Sequence, residues 1–264
     1  MAWGKWLRPL GNSNRSGLTT LVCFPYAGAG AGAFASWRSG IPSELNVQVV
    51  QYPGRESRWG EPFPDSLQEL VATMVREFGQ ALEPPFALLG HSFGALAAFE
   101  FCRHLMAATG KVPERLFVSG ARAPHLSIHD PIHALPDEEF SKRLREFNGI
   151  PPEVQANRDL LALTLPIARN DFRIFEQHSF QSGELLEVPL TAFGGLNDLH
   201  VSHGDLLAWG ETTSKSFRSR FLPGDHFFLF AKRDVIIRHI LEDLEGVAEP
   251  SVSAQSTERE QSRV

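Results

Sequence analysis

The sequence predicts an α/β protein with a mostly parallel central sheet and helices packed on its faces. Three observations carry that expectation. Short apolar runs of strand length alternate with stretches of helical periodicity, the pattern of parallel strands joined by crossovers. A chain of 264 residues is long enough to bury one large core. Its 42% hydrophobic and 21% charged residues are the balance of an ordinary globular protein.

Six strands follow in order. They are "LTTLVCF" (18–24), "VQVVQY" (47–52), "FALLGH" (86–91), "RLFVSG" (115–120), "PLTAFG" (189–194) and "SFRSRFL" (216–222). Helical patterns occupy 65–82, 93–108 and 231–245. The gap between the fourth and fifth of these strands is too long for a plain crossover. Within it, "LPDEEFSKRLREFNG" (135–149) has Pro136, Asp137 and two glutamates at a good helix start. A second helical stretch, 157–179, is interrupted by Pro166. Residues 122–188 therefore read as a helical insertion capping the sheet, a lid on a single domain spanning 1–245. The polar stretch 246–264 reads as a disordered tail.

Charge and cysteine content narrow the function classes. A net charge of −6 argues against nucleic acid or an anionic membrane as the main partner. Cys23 and Cys102 lie in apolar surroundings with no spacing suited to a metal or a disulfide framework, as expected for buried, reduced thiols in the cytoplasm. The N-terminal residues lack a continuous apolar signal core, and no stretch is long enough to span a membrane. Twenty Phe against two Tyr suit a deep apolar interior.

The most informative stretch is "FALLGHSFGALAAFEFCRHL" (86–105). An apolar run leads into Gly90-His91-Ser92-Phe93-Gly94, a G-x-S-x-G motif, and a helical pattern follows at once. That is the setting of a nucleophile elbow, a turn so tight that its flanks need glycine. Ser92 is thereby presented at the carboxyl edge of the sheet as a candidate nucleophile. A serine hydroxyl needs a base, itself oriented by a carboxylate, in the chain order Ser, acid, His for this fold. Asp198 stands in the turn after strand 189–194, and His226 in the turn after strand 216–222. Both belong to the same edge as Ser92. The rivals are placed worse: Asp205 lies further from its strand, and Asp225 is adjacent to His226. No later strand end presents His200 or His203, His91 belongs to the elbow, and His104 to the helix after it.

A second motif, "FPYAGAGAGAF" (24–34), formally matches the G-x-G-x-x-G/A loop of dinucleotide-binding proteins. That reading needs an acidic residue at the end of the next strand, where Gln51 and Tyr52 stand instead. The alternative use of such glycines is a loop whose backbone approaches a reacting carbonyl. On that reading the oxyanion donors are the backbone N–H groups of Ala27 and Phe93.

With these residues in view, the sequence resembles the type II thioesterases of polyketide and nonribosomal peptide synthesis, stand-alone members of the α/β-hydrolase superfamily. The matching segments are "FPYAGAGA" (24–31), "QYPGRE" (51–56), "GHSFGA" (90–95), "LPDEEF" (135–140), "NDFRIFE" (170–176) and "PGDHFFL" (223–229). They span roughly residues 5 to 245. The resemblance implies Ser92 as nucleophile, Asp198 as acid and His226 as base, with Ala27 and Phe93 N–H as oxyanion donors. It implies hydrolysis of aberrant or stalled acyl groups from the phosphopantetheine arm of acyl or peptidyl carrier proteins. No cofactor or metal is expected, since the substrate brings the arm. The expected protein is a cytoplasmic monomer with no nucleic-acid or membrane partner. Many members have Met or Leu where Phe93 stands, so Phe93 is expected to narrow or redirect the acyl pocket. Arg55 with Arg58, or Lys142 with Arg143 and Arg145, are candidate patches for an acidic carrier. The competing readings are a general carboxylesterase or lipase on the same fold, and a catalytically silent binding protein.

Overall fold

The computed structural model describes residues 4–246 apart from 12–17, 129, 148, 150–153, 155, 182 and 184. The tail expected over 246–264 lies, except for Gly246, outside the described residues.

Among the described residues, seven strands form one sheet: β1 (Leu7–Pro9), β2 (Thr19–Phe24), β3 (Leu45–Val50), β4 (Phe86–His91), β5 (Leu116–Ser119), β6 (Leu190–Gly195) and β7 (Phe217–Leu222). Their order is β1-β3-β2-β4-β5-β6-β7, and only β1 runs antiparallel, against β3. The three-residue β1 is the one strand the hydrophobic pattern does not reveal, being too short for any periodicity. Its Pro9 is tolerated because β1 is an edge. The expected strand 47–52 instead runs Leu45–Val50, and Gln51 and Tyr52 begin the turn beyond it.

Alternation along the central strands supplies both faces with apolar side chains, as period-two geometry requires. Val22, Leu88 and Val118 face one layer, with Val71 and Met74 of α1 (Leu67–Glu77) and Phe101 of α2 (Phe93–Thr109). Leu21, Leu89 and Phe117 face the other, with Trp37 of the three-ten stretch Ala31–Gly40 and Ile236 of the C-terminal helix Arg233–Leu244. Helix ends follow local chemistry. Ser66 accepts the Glu69 N–H at 3.1 Å to open α1, and Gly110 at φ 71° closes α2.

The segment between β5 and β6 carries α3 (Asp137–Glu146) and α4 (Arg158–Glu176). Three acidic residues occupy the first turn of α3, and Asn157 caps α4 by accepting the N–H groups of Asp159 and Leu160. Ile132, Phe140, Leu144 and Ala168 form a separate apolar cluster that joins the two helices. Among the described residues, no helix is long and apolar enough to cross a membrane.

Register positions the functional turns. Phe24 pairs with Gly90, so the glycine loop after β2 and the elbow after β4 leave the sheet side by side. Gly195 pairs with Leu222, which sets the turns holding Asp198 and His226 next to each other.

Candidate active site

Ser92 adopts φ 54°, ψ −121°, a left-handed conformation that L side chains rarely take. Such a residue costs of order 1–3 kcal/mol, held here by its surroundings. Its N–H donates to Ser119 O at 2.8 Å, and its carbonyl accepts the Ala95 N–H at 2.9 Å. The flanking glycines are obligatory. A Cβ at Gly90 would lie 2.0 Å from Gly94 O, and one at Gly94 would lie 2.0 Å from Phe24 O. The strand, the turn and the helix are thus packed backbone against backbone.

Nδ1 of His226 and Oδ2 of Asp198 are 2.8 Å apart. The other carboxylate oxygen accepts backbone N–H groups from His200 at 2.9 Å and Val201 at 3.3 Å. Burial pushes the Asp198 carboxyl up, but these hydrogen bonds and the imidazole outweigh it and hold it below the ordinary carboxylate range. An ionised Asp198 can only accept, so Nδ1–H of His226 donates to it and Nε2 is left as the acceptor. His226 is itself buried, and the ring of Phe147, just beyond α3, lies edge-on 5.6 Å from it.

Ser92 and His226 both line a cavity of about 520 Å³ roofed by Leu165, Ala168 and Phe172 of α4. A second cavity of about 240 Å³ shares Ser92, His226, Phe147 and Phe172 with the first. Residues of the segment between β5 and β6 thus line both cavities that reach Ser92.

The other candidates have local partners. His91 is fully buried against Tyr26, Phe227 and Phe230, with Nδ1 3.1 Å from Ser119 Oγ. Burial, together with the nearby imidazole of His226, pushes its pKa well down, so it is a neutral packing group. His200 stacks on Phe147 at 3.7 Å, and His203 packs on Phe221. Asp205 completes a capping box with Ser202 at the start of the short helix His203–Leu207. Asp225 accepts the Phe227 N–H at 3.0 Å.

The glycine loop is occupied by protein acceptors. Ala31 N–H donates to Gln51 Oε1 at 3.1 Å and Gly32 N–H to Glu56 Oε1 at 3.1 Å. Ala29 and Ala33 donate to Tyr26 and Gly30 carbonyls, and Gly28 N–H donates to Asp171 Oδ2 at 2.7 Å. A Cβ at Gly30 would fall 2.6 Å from the Glu56 carboxyl carbon. These glycines make room for side chains of the β3 turn rather than for a pyrophosphate.

Two expectations are corrected. Phe93 does not narrow the cavity beside Ser92: it is buried in the main core, 5.7 Å from the Tyr52 ring, and lines neither cavity. Arg55 and Arg58 are not a docking patch, being only 2% and 3% exposed. Arg55 pairs with Asp171, and Arg58 with Glu61 and the Trp6 ring. In the other patch Arg143 pairs with Asp130, and Lys142 is exposed. Asp171, Gln51 and Glu56 are residues of this region to which the sequence assigned no part in holding the loop. Their segments, "NDFRIFE" and "QYPGRE", carried the resemblance, but nothing local links Arg55 to a residue 116 positions away. Among the described residues, no group of three or more His, Cys, Asp or Glu is placed to hold a metal.

The sheet order, the strained serine between β4 and α2, and the acid–histidine pair beyond β6 and β7 define an α/β hydrolase. Comparison with known proteins then specifies the family: residues 19–244 match the thioesterase domain, and the chain belongs to that family of thioester hydrolases. It is 38% identical over 242 residues to the gramicidin S biosynthesis protein GrsT of Aneurinibacillus migulanus, covering 91% of this chain and 94% of that protein. It is 41% identical over 236 residues to a Brevibacillus parabrevis protein named linear gramicidin dehydrogenase LgrE, covering 86% and 88%. A solved structure of the type II thioesterase BorB, from the borrelidin biosynthetic cluster, superposes with a TM-score of 0.82 at 32% identity, covering 90% and 97%. The word dehydrogenase in one relative's name finds no support in this chain's loop, whose amides serve Gln51, Glu56 and Asp171.

Proposed function

We propose that this protein releases aberrant or stalled acyl groups from the phosphopantetheine arm of carrier proteins in a polyketide or nonribosomal peptide synthase. Ser92 is the nucleophile, His226 the base and Asp198 its orienting acid. Ser92 Oγ attacks the thioester carbonyl carbon while its proton passes to His226 Nε2, and Asp198 steadies the imidazolium. The oxyanion is received by the N–H groups of Phe93 and Ala27. Phe93 opens α2, so its amide has no acceptor within the helix. Collapse expels the thiolate, a better leaving group than an amine because a thiol pKa is about 8.5, and it takes the proton from His226 Nε2, which restores the neutral base. Water then attacks the acyl-serine carbonyl while the now neutral His226 Nε2 takes its proton, and collapse returns that proton to Ser92 Oγ as the carboxylic acid leaves.

The observation that carries this reading is the 2.8 Å Asp198–His226 contact beside the strained Ser92, on a cavity lined by both Ser92 and His226. Similarity to proteins named for gramicidin S and borrelidin biosynthesis supports the choice of carrier-bound substrate. The test compares hydrolysis of one acyl group presented as a carrier-protein thioester and as a simple oxyester. The carrier thioester is expected to have the higher kcat/KM. A strong preference for the oxyester would overturn the editing role and point to a general esterase.

A further inference from the structure

A buried ion pair ties the helix roof to the glycine loop. Asp171, on α4, and Arg55, in the turn after β3, are 1% and 2% exposed. Arg55 Nη2 donates to Asp171 Oδ1 at 2.9 Å, and Arg55 Nη1 also contacts Oδ2. The same Oδ2 accepts Gly28 N–H at 2.7 Å, while Arg55 Nη1 donates to Ala29 O at 3.3 Å. A buried pair of this kind is a poor fastener, since desolvation consumes much of its Coulomb energy and an apolar pair would hold as well. Its hydrogen bonds explain its chemistry better.

Those bonds fall on one short turn, Tyr26–Ala29. Ala29 N–H donates to Tyr26 O at 3.1 Å, and Gly28 at φ 81° sits where a type II turn needs a glycine. Tyr26 C=O shares its peptide plane with the N–H of Ala27. The plane that follows carries the Gly28 N–H held by Asp171, and Arg55 grips the Ala29 carbonyl at the turn's end. Helix α4 also lies against the turn, since a Cβ at Gly28 would meet Ala168 Cβ at 3.2 Å.

We infer that Asp171 is a positioning residue for the oxyanion site. It is supplied by the covering helix and, with Arg55, holds the turn in the shape that aims Ala27 N–H at the reacting carbonyl. The covered cavity and the formed oxyanion site therefore arise together, because one carboxylate on α4 belongs to both. This inference rests on the acyl-transfer reading above, with Ala27 as a donor.

The test uses two paired replacements and a medium-chain acyl thioester of N-acetylcysteamine. Arg55→Met with Asp171→Leu removes both charges and the acceptor for Gly28 N–H. Arg55→Met with Asp171→Asn removes both charges and keeps an oxygen for that N–H. The first is expected to lower kcat about 100-fold with KM within about twofold, the signature of a weakened oxyanion donor. The second is expected to recover at least about tenfold of that loss. A role in packing alone would affect both alike, so equal kcat values, or a loss confined to KM, would overturn the inference. Should neither variant fold, hydrogen exchange in the wild-type protein decides. The Gly28 amide is then expected to exchange at the rate of the buried amides of α4, and free exchange there would refute the link. Ser92→Ala separates the two levels. Undiminished hydrolysis by that variant would remove the acyl-transfer reading itself, whereas an inactive Ser92→Ala beside unaffected double variants would remove only the role of Asp171.

Discussion

Replacing Asp198 by Asn tests the electrostatics of the site with almost no change of shape. The structure dictates how the new side chain must sit. Oδ1 of Asp198 receives two backbone N–H groups, from His200 and Val201, so the Asn oxygen has to remain there. Its NH₂ group then occupies the Oδ2 position, 2.8 Å from His226 Nδ1. Two donors cannot face each other, so His226 switches to the tautomer with the proton on Nε2. That nitrogen can no longer take the proton from Ser92. In a serine protease with the same constellation this change lowers kcat about 10⁴-fold, or about 5 kcal/mol of transition-state stabilisation at 1.36 kcal/mol per factor of ten. A loss of 10³- to 10⁴-fold in kcat is expected here, with KM and melting temperature little changed. Steady-state hydrolysis of an acyl thioester reads the loss, and thermal unfolding checks the fold. A loss smaller than about tenfold would refute the assignment of Asp198 as the group that orients His226.

Two further perturbations address the scaffold. Gly94→Ala would put a Cβ 2.0 Å from Phe24 O and 2.6 Å from Pro25 O, both backbone atoms that cannot rotate away. Destabilisation beyond the usual 1–3 kcal/mol of overpacking is expected in chemical denaturation, and near-native stability would contradict the packing described. Asp243, on the C-terminal helix, has a fully buried carboxylate that accepts from Arg220 at 3.0 Å and Thr191 at 2.7 Å and also contacts Arg218. Its removal by Asp243→Ala is expected to cost about 3 kcal/mol, the lower end for a broken buried pair, because both arginines keep some water contact. Burial alone would raise its pKa, but the hydrogen bonds from Thr191, Arg220 and Arg218 win and depress it. A depressed folded-state pKa means that the stabilisation is complete above the unfolded value of about 3.9 and fades as pH falls through the folded one. The stability gap between wild type and variant should therefore be constant near neutral pH and shrink below about pH 4. A gap that is unchanged at pH 3 would contradict this.

Local signals carried most of the candidate site. The elbow is legible because strand, glycine-flanked serine and helix are contiguous. Asp198 and His226 are legible because each follows a strand and so shares an edge with Ser92. The helix start at Pro136 is likewise legible from its proline and the acidic residues that follow it. What escaped lies in long-range pairing. Arg55 reads locally as one cation near another, and only the fold places Asp171 against it in a dry interior. Phe93 reads as a pocket residue because many members of the family that the sequence resembles have Met or Leu there, yet the turn sends its side chain into the core. Gln51 and Glu56 look like strand-end and surface residues, and their partners are amides that no side-chain pattern reveals. The short strand Leu7–Pro9 depends on β3 for its hydrogen bonds, so its own three residues carry no signal.

The central claim is that the thioester acyl group passes through Ser92. Intact-mass and peptide mass spectrometry after rapid quenching, with an acyl-carrier protein as substrate, tests it most directly. A transient gain equal to the acyl group, located on the peptide containing Ser92 and missing from Ser92→Ala, is the expected result. Full turnover with no acyl adduct at Ser92, or undiminished hydrolysis by Ser92→Ala, would contradict the account.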